Sequence, residues 1–261
     1  MQLLATPYQY NLLSDYERLS AFYDAIKDNC KGIVFDIGTG SGILSIFASP
    51  YAQQVYAVEL DSGAAQCAGE NLKKYDNVQF IEGDAKNIEF PEKADLIICE
   101  MLDTALIDEE QIPIIKTVSK YLKKKGKIIP YKILTGLEPV HMKAEHLCYE
   151  NEKFPQHKIL GPLIIYNETS FYQEINENVK VDLIVKISRE GELSGIKLTS
   201  FTILTPDIVC GPSPMMNPPL FIPTDKMFVE KDDKIRINLE YQMGGGLDSI
   251  KIRTAKIPEK L

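Results

Sequence analysis

Glu100 and Glu109 stand nine residues apart in the stretch CEMLDTALIDEEQ, Cys99 to Gln111, with no His, Ser or Arg between them. Two carboxylates with neither nucleophile nor imidazole beside them suit the grip of a positively charged planar group. They can fix its plane, localise its charge on one side and leave one nitrogen aimed outward. Glu100 follows the apolar run LIIC, where a carboxylate without work costs desolvation. Glu109 and Glu110 also suit the start of a following helix, where acids are favoured. Asp103 and Asp108 lie in the same loop and could replace either partner.

A second set of residues points to a nucleoside. DIGTGSG, Asp36 to Gly42, carries Gly38, Gly40 and Gly42 at alternate positions, so backbone N–H groups can approach a ligand with no Cβ in the way. A dinucleotide fold wants G-x-G-x-x-G; here the sixth position is Ile43, which tilts against a nicotinamide cofactor. Glu59 ends the run VYAVE and is placed to accept ribose hydroxyls. Asp84, in EGDA, is placed to accept an adenine amino proton, with Ile37, Ile43, Leu60 and Ala85 as an apolar slot around the base. Glycines and two acids at three successive strand ends describe a ribose and base held without a pyrophosphate. S-adenosylmethionine is the expected cofactor.

The elements that must carry these residues follow from hydropathy patterning. KGIVFDIG, QVYAVELD, NVQFIEGD, KADLIICE and GKIIP read as short buried strands. SGILSIFASPYA, SGAAQCAGENLKKYD and EQIPIIKTVSKYLKKKG read as the helices between them. Regular alternation implies βαβ units, hence a parallel sheet covered by helices. Residues 11–29 add a helical lead-in. After Pro130 the texture becomes Thr-, Ile- and Val-rich runs between Gly, Pro, Asn and Asp, as in an antiparallel sandwich or barrel; only HMKAEHLCYENE there looks helical. The expected architecture is an α/β Rossmann-like domain over residues 1–130 followed by an antiparallel β-barrel-like domain over 131–261.

Composition removes several classes. With 261 residues, 44% hydrophobic and 25% charged, the chain can bury its own core. It has no apolar run long enough to span a membrane. Its start lacks the basic flank and apolar run of a signal peptide, so a cytoplasmic location is expected. Five widely spaced cysteines without C-x-x-C, and three His in one stretch, suggest reduced thiols and no metal site. The net charge of −8 disfavours an RNA-binding platform and mildly favours a cationic partner. The dense run Lys123-Lys124-Lys125 is expected to end a helix, complementing its dipole.

Residues 31–130 resemble class I S-adenosylmethionine-dependent methyltransferases, and the branch they are most similar to is the protein arginine methyltransferases. The resemblance rests on DIGTGSGILSIFA, on VYAVELD, on the acidic loop and on DYER, Asp15 to Arg18. It implies that Glu100 and Glu109 bracket a substrate guanidinium, that Arg18 binds the cofactor carboxylate, and that the substrate is a protein, with RNA or a non-catalytic binding role as alternatives. It leaves the oligomeric state open. Two departures stand out. The family's threonine-histidine-tryptophan loop is replaced near GPSPMMNPPLF by Met215, Met216 and Asn217, which removes the His that would pair with Asp15. The amino-terminal aromatic cover is short, with Tyr8 and Tyr10 in its place. NPPL, Asn217 to Leu220, reads as a loop between strands that borders the substrate pocket.

Overall fold

Asp15 divides the amino-terminal helical stretch in two. Its carboxylate accepts the N–H of Arg18 and caps the second helix, so the lead-in becomes α1 (Pro7–Ser14) and α2 (Tyr16–Asn29). Thr6 and Gln9 close a capping box at the start of α1, and Pro7 fills its first turn. These positions belong to a computed structural model that describes residues 3–151 and 153–258.

The alternation then runs β1 (Ile33–Ile37), α3 (Ile43–Ala48), β2 (Gln54–Glu59), α4 (Ser62–Leu72), β3 (Val78–Glu82), β4 (Ala94–Cys99), α5 (Gln111–Val118) and β5 (Leu122–Ile129). All pairings are parallel and the order is β3-β2-β1-β4-β5. The direction of the strand order therefore changes between β1 and β4, and ligands of open α/β sheets bind at the carboxyl side of such a switch.

The lysine run departs from expectation. Helix α5 stops at Val118, one tight turn spans Ser119–Tyr121, and Lys123, Lys124 and Lys125 lie inside β5. β5 is an edge strand, where lysines discourage pairing with another chain. Lys123 ties that edge back to Asp95 of β4 at 2.7 Å.

From Lys132 the chain is β-rich: β6 (Lys132–Met142), β7 (Cys148–Tyr149), β8 (His157–Ile159), β9 (Ile164–Ser170), β10 (Asn178–Lys186), β11 (Gly191–Thr205), β12 (Ile208–Cys210), β13 (Leu220–Val229), β14 (Lys234–Gln242) and β15 (Lys251–Lys256). One antiparallel sheet has the order β7-β13-β11-β6-β8, with β12 on β11 and β9 on β6; a second has the order β10-β14-β15. The described residues of HMKAEHLCYENE, 141–151, are not helical, and its last residue lies outside the described ones. His141 and Met142 finish β6, and Cys148 and Tyr149 pair with Phe221 and Leu220 of β13. Strand pairing there overrides local helical propensity. One apolar core joins the two halves, from Phe22 and Ile97 to Leu106, Ile107, Leu198 and Tyr241. No helix among the described residues is long and apolar enough to cross a membrane.

Candidate functional site

A cavity of ≈ 860 Å³ opens at the carboxyl ends of β1, β2 and β4. Gly38, Gly40, Glu59, Leu60 and Asp61 line it, together with Arg18, Glu100, Met101 and Glu109. Thr6, the cap of α1, and Tyr8, Gln9, Leu12 and Leu13 within it also line the cavity, and Met215 reaches it from the β-rich half.

The glycines divide their work. Gly38 and Gly40 have φ of +72° and +59° and lie in the cavity wall. A Cβ on Gly38 would come within 3.0 Å of Met101, so glycine is what lets Met101 pack against the turn. Gly42 (φ +85°) faces away, and a Cβ there would sit 2.9 Å from Leu72 of α4. It serves helix packing.

Glu59 binds the loop itself. Oε2 accepts the N–H of Gly40 at 2.8 Å, and Oε1 accepts those of Leu60 and Asp61, each at 2.8 Å. A carboxylate has roughly four acceptor positions, so about one remains for a hydroxyl in the cavity.

Asp36 sits behind the loop. Buried at 1% exposure, it accepts the hydroxyls of Thr39 (2.5 Å) and Ser45 (2.6 Å), and so pins the glycine turn to the start of α3. It does not line the cavity. Burial lifts its carboxyl to about 6 against the opposing pull of those two hydroxyls. The folded value lies above the usual carboxylate value, so the folded state takes up a proton across the window from about pH 4 to about pH 6, and this group makes stability fall as pH rises through it. Asp36→Asn should remove that contribution, on the order of 2–3 kcal/mol, measured as the difference in urea midpoint between variant and wild type at the two ends of the window. A constant difference contradicts the assignment.

Asp84 and Ala85 also fall outside the cavity wall. Asp84 accepts the Lys86 N–H at 2.9 Å and the Asn87 side-chain amide at 3.1 Å. Its strand, β3, is the sheet edge furthest from the β1/β4 switch on that side, so this carboxylate organises its own turn.

Glu100 and Arg18 meet as a bidentate ion pair: Nε to Oε1 at 3.2 Å, with Nη2 on Oε2. Their side chains are 10% and 4% exposed. The Nη1 of Arg18 adds a bond to the Leu12 carbonyl at 3.4 Å. Three of the five guanidinium N–H donors are thereby used. Gln111, fully buried, clamps the strand tip below Glu100 by accepting the Met101 N–H at 3.0 Å and donating to the Cys99 carbonyl at 2.8 Å. The sequence holds no signal for that clamp beyond an amide opening α5.

Glu109 reaches the same cavity from the far end of the loop and stays solvent-accessible at its rim. Partial burial, then the charges of Glu100, Asp108 and Glu110, hold its carboxyl above the usual value. Tyr8 lies close enough for burial and then Glu109 and Glu100 to raise its phenol, with Arg18 opposing. Tyr10 is 66% exposed and does not line the cavity. Asp103 is buried and turned inward, and Asp108 is exposed outside the wall. Neither substitutes for the two glutamates.

The acid at Asp15 has partners after all. The Ser213 hydroxyl donates to Oδ2 at 2.5 Å and the Met215 N–H donates to the same oxygen at 3.2 Å. The loop Gly211–Asn217 thus docks on the cap of α2 with a hydroxyl where the sequence lacks a histidine, and this sets Met215 in the cavity wall. Asn217, Pro218 and Pro219 of NPPL lie between β12 and β13, and Leu220 opens β13. The Pro218 carbonyl accepts the Thr104 hydroxyl of the acidic loop at 2.8 Å. Among the described residues no group of His, Cys, Asp and Glu is arranged to hold a metal.

Residues 34–126 match a methyltransferase domain. An uncharacterized protein of Methanothermobacter thermautotrophicus is 46% identical over 253 residues, which is 96% of this chain and 98% of that one. A probable histone-arginine methyltransferase of Arabidopsis thaliana is 37% identical over 133 residues, covering 47% of this chain and 25% of its own. A solved complex described as the Trypanosoma brucei PRMT1 enzyme-prozyme heterotetramer with AdoHcy superposes with TM-score 0.78 at 14% identity, covering 97% of this chain and 98% of that one. Its fold is the one described above, a Rossmann-like sheet followed by a barrel-like domain. The chain belongs to the family of the Methanothermobacter protein, carries a methyltransferase domain over residues 34–126, and resembles the protein arginine methyltransferases in fold.

Proposed function

We propose that the protein transfers a methyl group from S-adenosylmethionine to a nitrogen of a protein side chain, an arginine-type guanidinium being favoured. The observation that carries this reading is that Glu100 and Glu109 open into the cavity that the glycine loop and Glu59 also line. Bound in that cavity, S-adenosylmethionine supplies an electrophilic methyl group on a sulfonium.

The residues present fit such a group. Gly38 and Gly40 leave a bare backbone, Glu59 keeps an acceptor position for a ribose hydroxyl, and Ile43, Leu44, Leu60 and Met101 offer apolar surface. Arg18 retains two N–H donors for a carboxylate. Its bond to Glu100 cancels one negative charge, so of the two glutamates only Glu109 is left without a cationic partner among the described residues. A guanidinium entering there would meet Glu109 as its counter-ion and Glu100 as a fixed acceptor. That arrangement orients one nitrogen and draws positive charge away from it. No nucleophilic side chain is needed.

Glu59→Ala should weaken S-adenosylmethionine binding about 10- to 100-fold, the worth of a hydrogen bond to a charged group plus the loosened loop. Unchanged affinity in calorimetry would count against this pocket. The function itself is tested by incubating the protein with methyl-labelled cofactor and cell extract, then treating with protease or ribonuclease. Label lost to protease and recovered as methylarginine is the expected result. Label that survives protease but not ribonuclease contradicts it.

A further inference from the structure

The acidic loop between Glu100 and Glu109 does not hold its shape alone. Ala105 and Leu106 are both left-handed, with φ of 64° and 59°. Two consecutive non-glycine residues in that region are strained and persist only where surroundings over-determine them. The surroundings here come from the β-rich half. Ser200 Oγ accepts the Ala105 N–H at 2.9 Å, and Gly244 and Gly246 donate to the carbonyls of Leu106 and Ile107 at 2.8 and 2.9 Å.

At the centre lies the Asp103 carboxylate, 7% exposed. Its Oδ2 accepts the N–H groups of Ile107 (3.1 Å) and Asp108 (3.0 Å), and its Oδ1 accepts that of Glu109 at 3.3 Å. The Tyr149 phenol of β7 donates to the same Oδ2 at 3.3 Å. One buried side chain therefore gathers the three amides that lead into Glu109 and ties them to a tyrosine of the other half. We infer that Asp103, held by Tyr149, is a positioning residue that fixes Glu109 at the cavity rim, so that the β-rich half sets the spacing of the two glutamates.

The inference rests on the role proposed for Glu109. Displacement of a charged group by about 1 Å in a reacting geometry can cost on the order of 100-fold in rate. Asp103→Asn keeps the volume but weakens acceptance of the three amides. Tyr149→Phe removes only the outer tether, and it keeps the test usable if the first variant folds poorly.

Two readouts are taken on the full chain. The first is the titration of the Glu109 carboxyl followed by NMR, which needs no turnover. The second is kcat and KM with a synthetic peptide carrying one arginine, alongside the affinity for S-adenosylhomocysteine. In Asp103→Asn the Glu109 carboxyl should move toward the ordinary glutamate value, kcat should fall about 10- to 100-fold, and cofactor-product affinity should stay within about twofold. Tyr149→Phe should shift titration and kcat the same way by less. A Glu109 titration unchanged in both variants overturns the inference, whatever the rates. So does a shifted titration with wild-type kcat when Glu109→Gln is inactive. Full turnover by Glu109→Gln is a different failure: it removes the proposed function on which the positioning role depends.

Discussion

Glu109→Gln is expected to lower kcat for methyl transfer by about 10²–10³-fold, the range lost when one charge-stabilising group is removed from an active site, and to leave cofactor affinity within about twofold. Glu109 makes no ion pair among the described residues and sits at the rim, so the amide should fit without disturbing the fold. What it loses is the ability to draw charge from a bound guanidinium. Because Glu100 is already balanced by Arg18, the substitution removes the unpaired charge at the Glu109 end of the acidic loop. Steady-state kinetics with a single-arginine peptide would read both kcat and KM. A variant with wild-type kcat removes Glu109 from the chemistry.

Glu100→Ala has its largest effect on stability. The carboxylate is the bidentate partner of an arginine side chain that is 4% exposed, and breaking a buried pair by removing one member costs about 3–5 kcal/mol because the other charge is left stranded. For a chain of this size that is a fall in Tm on the order of 10 °C. Cofactor affinity should fall too, since Arg18 loses the group that holds it in the cavity wall. A change at Glu100 therefore cannot separate substrate handling from cofactor binding; Glu109 is the clean probe. The double variant Arg18→Met, Glu100→Leu should regain most of the lost stability and remain inactive. Differential scanning calorimetry decides it: a shift of less than about 2 °C for Glu100→Ala would mean that the pair is not buried in solution.

The parallel sheet and its glycine turn were legible because short apolar runs, each ended by Gly or an acid, have few other solutions. The roles of the acids at those ends were not. β1 is buried at all five positions, so no alternation reveals whether Asp36 faces the cavity or the core, and it faces the core. Asp84 carries the same strand-end signal as Glu59 but ends the edge strand, and only the strand order shows that distance from the switch. The lysine run reads as a helix end because its charge suits a dipole, yet edge-strand placement satisfies the same charge. The spacing of Glu100 and Glu109 was visible. The ties that set it, from Ser200, Tyr149, Pro218 and the Gly244–Gly246 turn, are contacts between residues some 46 to 140 positions apart along the chain, beyond the reach of local pattern. Ser213 on Asp15 is similar: the missing histidine could be read, its replacement by a hydroxyl two residues before Met215 could not.

The most direct measurement is a crystal structure of the protein with S-adenosylhomocysteine and a single-arginine peptide. Its ribose should lie against Glu59 and the Gly38–Gly40 turn, and the peptide guanidinium between Glu100 and Glu109, one nitrogen toward the sulfur. An adenosine bound away from that turn, or a guanidinium that leaves both glutamates in solvent, would contradict the reading of this cavity as a guanidinium methylation site.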